Sequence, residues 1–226
     1  MSLSLRFALR AAIGLPLAAT AIFAPAGTLE FWQGWATLGV FALCPIFMLS
    51  YFFRHDRQLL ERRFQRKEQR AKQRLWAMLW LPLWVGLFLI SSFDRRFSWS
   101  RTLFGGVPPW VSVLALGVML VAWLLIFLVF RANTFAAAVI QVEASQKVVS
   151  SGPYRFIRHP MYSALGLLSF AVPLALGSYV AVPLAPPLVS LLVFRLLDEE
   201  RLLRVDLDGY SEYCRRTRCR LVPLVW

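Results

Sequence analysis

The sequence predicts an all-α, polytopic transmembrane helical bundle of about six spans, the last two forming a short helical hairpin. Three observations carry that prediction. Of 226 residues, 58% are hydrophobic and only 16% charged, a balance too apolar for an ordinary soluble domain. The apolar residues gather in runs of about 20, the length at which a helix crosses the ~30 Å hydrocarbon core while satisfying its own backbone. The basic residues, finally, fall between and beyond these runs instead of inside them.

Taken in order, Arg6 and Arg10 precede an apolar run over 11–26 that ends in Ala24-Pro25-Ala26. A basic start, a short apolar centre and a small-x-small site also describe a secretory signal. A second apolar run over 31–53 follows after only a few residues, which favours a helical hairpin. Residues 54–74 carry nine Lys/Arg against three acids, with Leu59, Leu60 and Phe64 spaced for one face of an interfacial helix. The run over 75–93 holds Trp76, Trp80 and Trp84, a stripe suited to packing and interface anchoring, and Pro82 is tolerated within a spanning helix. A short loop is expected over 94–108, where Gly105-Gly106 and Pro108-Pro109 punctuate the chain before the cleanest spanning run, 110–130. Residues 131–159 form a long polar connection, and alternation around Val139, Gln141 and Glu143 leaves a short strand or an irregular loop open. The apolar stretch over 161–197 is interrupted by Gly177-Ser178-Tyr179, Pro183 and Pro186-Pro187. It is too long for one crossing and reads as a tight hairpin of two short helices, followed by a charged helix from Asp198 and a basic tail.

Charge then sets the topology. The net charge is +13, and because the basic residues flank apolar runs, the expected partner is anionic lipid headgroups and not nucleic acid. Placing the N-terminus, the 54–74 and 131–160 connections and the tail on one side collects 22 of the 25 Lys/Arg there, leaving Arg95, Arg96 and Arg101. That arrangement satisfies the positive-inside bias with both termini cytoplasmic, and it brings 150–162 and 198–220 to the same interface. Cys44, Cys214 and Cys219 offer no CxxC pair, and His55 and His159 are the only histidines. The thiols read as free, in a reducing compartment, and no metal cluster can be assembled from cysteine and histidine.

Two polar islands are where chemistry is expected. In Ser151-Gly-Pro-Tyr-Arg-Phe-Ile-Arg-His-Pro-Met-Tyr162, His159-Pro160 marks a helix start. Arg158 and His159 at a helix mouth suit an anionic group such as a carboxylate; equally, a basic residue there anchors a membrane helix at the headgroups. In the second island, Asp198, Glu199 and Glu200 close an apolar helix, where unpaired acids are costly. Arg158, Arg195, Arg201, Arg204 and Arg216 are candidate partners.

Gly-Pro-Tyr…Arg-His-Pro-Met-Tyr over 152–162, Glu-Glu-Arg-Leu-Leu over 199–203 and Tyr210-Ser-Glu-Tyr213-Cys-Arg-Arg216 with a closing Leu-Val-Pro223 form an ordered set. This set resembles the isoprenylcysteine carboxyl methyltransferase family of integral membrane methyltransferases, whose superfamily includes phospholipid N-methyltransferases. The resemblance covers roughly 131–226. It implies N-terminal transmembrane helices over 1–130 and a cofactor-binding, catalytic portion over 131–226, within one integrated domain. It also implies S-adenosyl-L-methionine as cofactor and a lipid or apolar methyl acceptor met at the cytoplasmic interface. By resemblance, Tyr154, His159, Pro160 and Tyr162 line the cofactor pocket, Glu199 and Glu200 close it and Tyr213 covers it, while Arg158 and Arg216 face the acceptor. One departure is Ala164, where the family usually has glycine.

Methyl transfer from a sulfonium needs alignment more than acid or base work, which is worth several kcal/mol when reacting atoms are held ~3 Å apart. Two guanidiniums would clamp a carboxylate acceptor; an amine or thiol acceptor would instead require a base such as Glu199 or Glu200. Two other readings fit parts of the pattern. A membrane reductase of the sterol type, using NADPH, shares the Arg-His-Pro-x-Tyr block, but a dinucleotide asks for more phosphate-binding residues than Arg155 and Arg158. A non-enzymatic transporter or scaffold would use the charges for pairing alone, yet no apolar run carries a charge at its centre.

Overall fold

The computed structural model describes residues 3–57, 59–61, 71–133 and 148–226. Its regular elements are helical: α1 (Leu3–Ala26), α2 (Trp32–His55), α3 (Ala71–Phe97), α4 (Trp99–Phe104), α5 (Pro109–Ala132), α6 (Pro160–Ala175), α7 (Ala185–Asp206) and α8 (Tyr210–Arg216). The strand-or-loop expectation over 134–147 lies outside the described residues.

Each long helix exists because an apolar run is bounded by residues that cannot continue it. Pro108, extended at ψ 143°, and Pro109 at the first turn start α5, since proline's missing N–H is one of those a helix start leaves unpaired in any case. The buried residues of α5 are Ser112, Ala115, Met119, Ala122, Ile126 and Val129, a three-and-four spacing that makes one stripe. That stripe packs against α6, the most extensive helix pair in the molecule, while α1 packs on α3 and α7 bridges α6 and α3. Small side chains permit the close α5–α6 approach: Ala122, Ala164, Ala171 and Ala175 are fully or almost fully buried. Ala164, where the resembled family has glycine, therefore places its methyl in the helix core. Gly34 permits a second close approach, because an added Cβ would stand 2.7 Å from Phe31 Cδ1 and 2.9 Å from Ile22 Cγ2. The Trp76, Trp80 and Trp84 rings stack in series at 5.4 and 5.2 Å along α3, and T-shaped contacts of Phe41 with Trp84 and Trp123 tie that ladder to α2 and α5.

Among the described residues, three helices are long and apolar enough to cross a membrane: Trp32–His55, Met78–Phe97 and Pro109–Ala132. The apolar parts of α1 and α6, Ala12–Ala26 and Pro160–Ala175, are shorter. A 16-residue helix such as α6 is about 24 Å long at 1.5 Å per residue, short of the ~30 Å core. Of the six expected spans, three correspond to helices of crossing length among the described residues, and the stretch expected as a hairpin over 161–197 forms the helices α6 and α7. Its turn uses Gly177 at φ +75° and a short 3₁₀ segment, Val182–Leu184.

The expected loop over 94–108 is instead largely helical, and a buried carboxylate explains it. Asp94 is 3% exposed. It accepts the Ser100 backbone N–H at 2.7 Å, the Ser100 hydroxyl, and the Ser178 hydroxyl at 2.5 Å. Ser100 Oγ in turn accepts the N–H groups of Tyr179 and Val180 at 2.8 and 3.2 Å. One side chain thereby starts α4 and pins the α6–α7 turn to the end of α3. Leu59 and Leu60, expected on an interfacial face, are 1% and 5% exposed and join the core; Phe64 lies outside the described residues.

Replacing Asp94 with alanine leaves buried hydroxyls and N–H groups without their acceptor, and unfolding in detergent is expected to become easier by about 2–4 kcal/mol. Asp94→Asn, which keeps one acceptor oxygen, should lose about half of that in the same thermal melt.

Candidate active site

The α6 start, the α7 end and the chain after α8 meet at the end of the bundle opposite Asp94. Gly152, at φ +59°, opens a 3₁₀ turn over Gly152–Arg155. His159 caps α6 and Pro160 takes its first position, as the dipeptide predicts. The residues beyond α8 then run alongside: the N–H groups of Arg158 and His159 donate to the carbonyls of Cys219 and Arg220, both at 3.0 Å, and Ser163 Oγ donates to Leu221 O at 2.6 Å.

An anionic group does sit at this helix mouth, and the protein supplies it. Glu200, 3% exposed, accepts from Arg158 Nη1 at 2.8 Å and faces His159 Nε2 at 3.3 Å through Oε1, while Arg220 Nε donates to Oε2 at 3.1 Å. Arg204 Nη2 stands 3.9 Å from Oε2. Burial alone would raise the Glu200 pKa, but hydrogen bonds from His159 and Arg158, and their charge, hold it down to about 2. The remaining Arg158 donors go to backbone: Nε to Thr217 O at 2.7 Å, and Nη2 to Arg218 O at 2.8 Å and Cys214 O at 3.4 Å. Arg158 is therefore a staple between the helix mouth and the chain that follows α8.

Glu199 has different surroundings. It is half-buried, and its Oε2 accepts the Tyr162 hydroxyl at 2.6 Å. Its Oε1 accepts no hydrogen bond from the described residues. Tyr162 Oη accepts Arg195 Nε–H at 3.1 Å. A third group, on the α8 side, joins Tyr213 Oη to Tyr154 O at 2.8 Å and Asn133 Nδ2 to Tyr154 Oη at 3.2 Å. Tyr210 and Tyr213 are buried with Leu207 and Cys214, and burial pushes both phenols above the ordinary tyrosine range. Tyr210 Oη is buried with no hydrogen-bond partner among the described residues.

Of the residues singled out in the sequence, the structure brings Arg158, His159, Pro160, Tyr162, Glu199 and Glu200 to one place, with Tyr154 and Tyr213 joined beside it. Arg216 stands apart on the α8 surface: its side chain is 78% exposed and pairs with Glu212 one turn earlier. Two participants were not singled out, and a third, Arg195, was named only as a candidate partner of the acids. Arg220 sits in a basic tail with nothing to distinguish it. Tyr210 belongs to the tyrosine motif but gave no reason to be preferred over Tyr213. Arg195 carried a signal: it stands in the apolar part of α7, where an arginine is costly unless engaged.

The Glu200 shift has a pH signature. Its folded pKa lies below the ~4.3 of an unfolded glutamate, so its contribution is full above pH ~5 and disappears as pH falls toward 2; a 2-unit displacement corresponds to about 3 kcal/mol. Thermal stability in detergent should fall across that window, and Glu200→Gln should be less stable at pH 7 and show a flatter acid decline.

Residues 110–205 match the family model described as Phospholipid methyltransferase. The match starts earlier than the motif-based resemblance, taking in all but the first residue of α5, and ends before the Tyr210–Arg216 helix. Among curated proteins, no match is found. The matched segment spans α5 from its second residue, α6 and most of α7, and the description of that model is similar to the membrane methyltransferase family that the Arg-His-Pro and Glu-Glu motifs resemble.

Proposed function

We propose that the protein transfers a methyl group from S-adenosylmethionine to a membrane-associated or apolar acceptor, at the cytoplasmic end of its helices. One observation carries the reading. The two polar islands far apart in sequence converge on one site, with His159 Nε2 3.3 Å from Glu200 Oε1, and both of these residues lie in the segment matched by the methyltransferase family model.

The residues fit such a cofactor. Its ribose hydroxyls and ammonium require acceptors and donors beside an aromatic surface, and two polar atoms at the site have no hydrogen-bond partner among the described residues: Glu199 Oε1 and the buried Tyr210 Oη. When bound, the cofactor supplies an electrophilic methyl on a sulfonium. The protein's part is alignment. Glu199 offers its Oε1 to a donor on the ligand, and Tyr154, Tyr162, Tyr213 and His159 shape the walls. Glu200 acts from beneath, keeping Arg158, His159 and Arg220 in register, so its function is to hold the pocket closed. Pro160 fixes the entry angle of α6 at the same wall.

An acceptor role for Arg158 requires it to exchange one of its backbone contacts, the longest being the 3.4 Å bond to Cys214 O. For Arg216 it requires release from Glu212. Anionic headgroups are the partners expected for the basic connections, which have no counter-charge of similar number in the sequence.

The reading is tested with detergent-solubilised full chain and S-adenosylhomocysteine. Binding is expected, and Glu199→Gln should weaken it by about tenfold or more with melting temperature nearly unchanged, since a charge-assisted hydrogen bond is lost without removing a buried counter-charge. Labelled methyl transfer into extracted membrane lipids should fall in parallel. NADPH binding in place of S-adenosylhomocysteine would overturn the assignment.

A further inference from the structure

We infer that Trp76 and Arg195 are positioning residues of the site: α3, which lies outside the methyltransferase-family segment, sets the orientation of Glu199 through an Arg195–Tyr162 relay. The inference rests on the reading of Glu199 as a ligand contact.

The relay follows from four contacts. Arg195 is 8% exposed and sits one turn before Glu199 on α7, so the two side chains share a helix face. Its guanidinium lies 4.3 Å above the Trp76 ring, and Trp76 Nε1–H donates to Leu191 O at 2.9 Å. The ring is thus fixed by its edge to α7 and by its face to the arginine. A buried guanidinium stacked on indole is both desolvated and held in one plane. Its Nε–H is directed at Tyr162 Oη at 3.1 Å. Having accepted there, the phenol turns its single proton to Glu199 Oε2 at 2.6 Å, and with that oxygen engaged the other, Oε1, is presented to the site.

Simple packing would make the same atoms touch but would not make them interdependent. In the relay, Arg195 acts on Glu199 only by way of the Tyr162 hydroxyl, so removing the arginine's donor and removing the hydroxyl should be one event and not two. Trp76 acts through its aromatic face, so a phenyl ring should serve and an aliphatic side chain of similar bulk should not. Trp76 lies outside the 110–205 family match, so its part in the site depends on how the first half of the chain packs on the second.

The test is a double-variant cycle read by S-adenosylhomocysteine affinity of the folded full chain in detergent. Arg195→Gln and Tyr162→Phe are each expected to weaken binding about tenfold, and the double variant by about the same tenfold. Trp76→Phe should bind within about threefold of the unaltered protein, and Trp76→Leu about tenfold more weakly, with Arg195→Lys failing to rescue because an ammonium has no planar face. A double variant weakened by the ~100-fold product of the singles, or Trp76→Leu binding normally, overturns the relay while leaving the cofactor reading intact. Should a single variant fail to fold, the pair Trp76→Phe and Trp76→Leu decides alone. Absence of binding by the unaltered protein overturns the cofactor reading and the relay with it.

Discussion

The architecture of the site depends on a carboxylate that water cannot reach. Glu200 joins three pieces of chain that share no regular secondary structure: the turn into α6 through Arg158 and His159, the end of α7 on which it stands, and the stretch beyond α8 through Arg220. Removing such a charge from water costs several kcal/mol unless it is surrounded by donors, and the donors here come from each piece in turn. The same constraint explains why Arg158 faces inward, reaching three backbone carbonyls as well as the carboxylate. A guanidinium can serve four acceptors at once because its hydrogens spread in a plane, which an ammonium cannot match. The pairing is therefore a structural clamp that holds the helix mouth, the end of α7 and the chain beyond α8 together.

A second buried acid does comparable work at the other end. Asp94 is surrounded by hydroxyls and amides instead of cations, and it gathers the end of α3, the start of α4 and the α6–α7 turn. Between these two polar clamps the helices are joined by apolar packing, alanine contacts and the stacked indoles of α3. Apolar packing alone specifies position weakly along a helix axis when the surroundings are as apolar as the core. A polar fixed point at each end supplies the missing registration, so that the two termini of α6, and with them Tyr162, occupy defined depths.

Some of this was legible in the residues and some was not, for physical reasons. Long apolar runs over α2, α3 and α5 declare themselves because hydrocarbon demands length and self-satisfied backbone. The His159-Pro160 helix start was legible because proline restricts the residue before it. That the acids at the end of α7 would need cationic partners, with Arg158 among five candidates, followed from the cost of leaving an acid unpaired at a helix end. What could not be read was the division of roles between neighbours, because Arg220 and Arg218 are equivalent in sequence and differ only in which carbonyl or carboxylate the fold places near them. The helical continuation past Asp94 was missed for a related reason: Ser100 and Ser178 are 78 residues apart, and only tertiary closure turns an acid in a supposed loop into the nucleus of α4. The three exposed arginines on that side gave no hint of the buried acid between them.

The contrast between Glu199 and Glu200 shows how a helix separates scaffolding from chemistry. Successive residues diverge by about 100° around the axis. Leu188, Leu192 and Leu196 form the buried stripe of α7, and Glu200 continues it, so it inherits an interior position and must be fully neutralised there. Glu199 instead follows Leu191 and Arg195 along the stripe's margin, where one oxygen is reached by Tyr162 and the other has no donor among the described residues. Two identical side chains, adjacent in sequence, therefore meet opposite surroundings: the interior one is saturated with donors, and the marginal one keeps an oxygen that accepts nothing from the described residues. Exchanging the two roles would require rotating α7 by a quarter turn, which the Leu188–Leu196 stripe and the Trp76 contact to Leu191 together prevent.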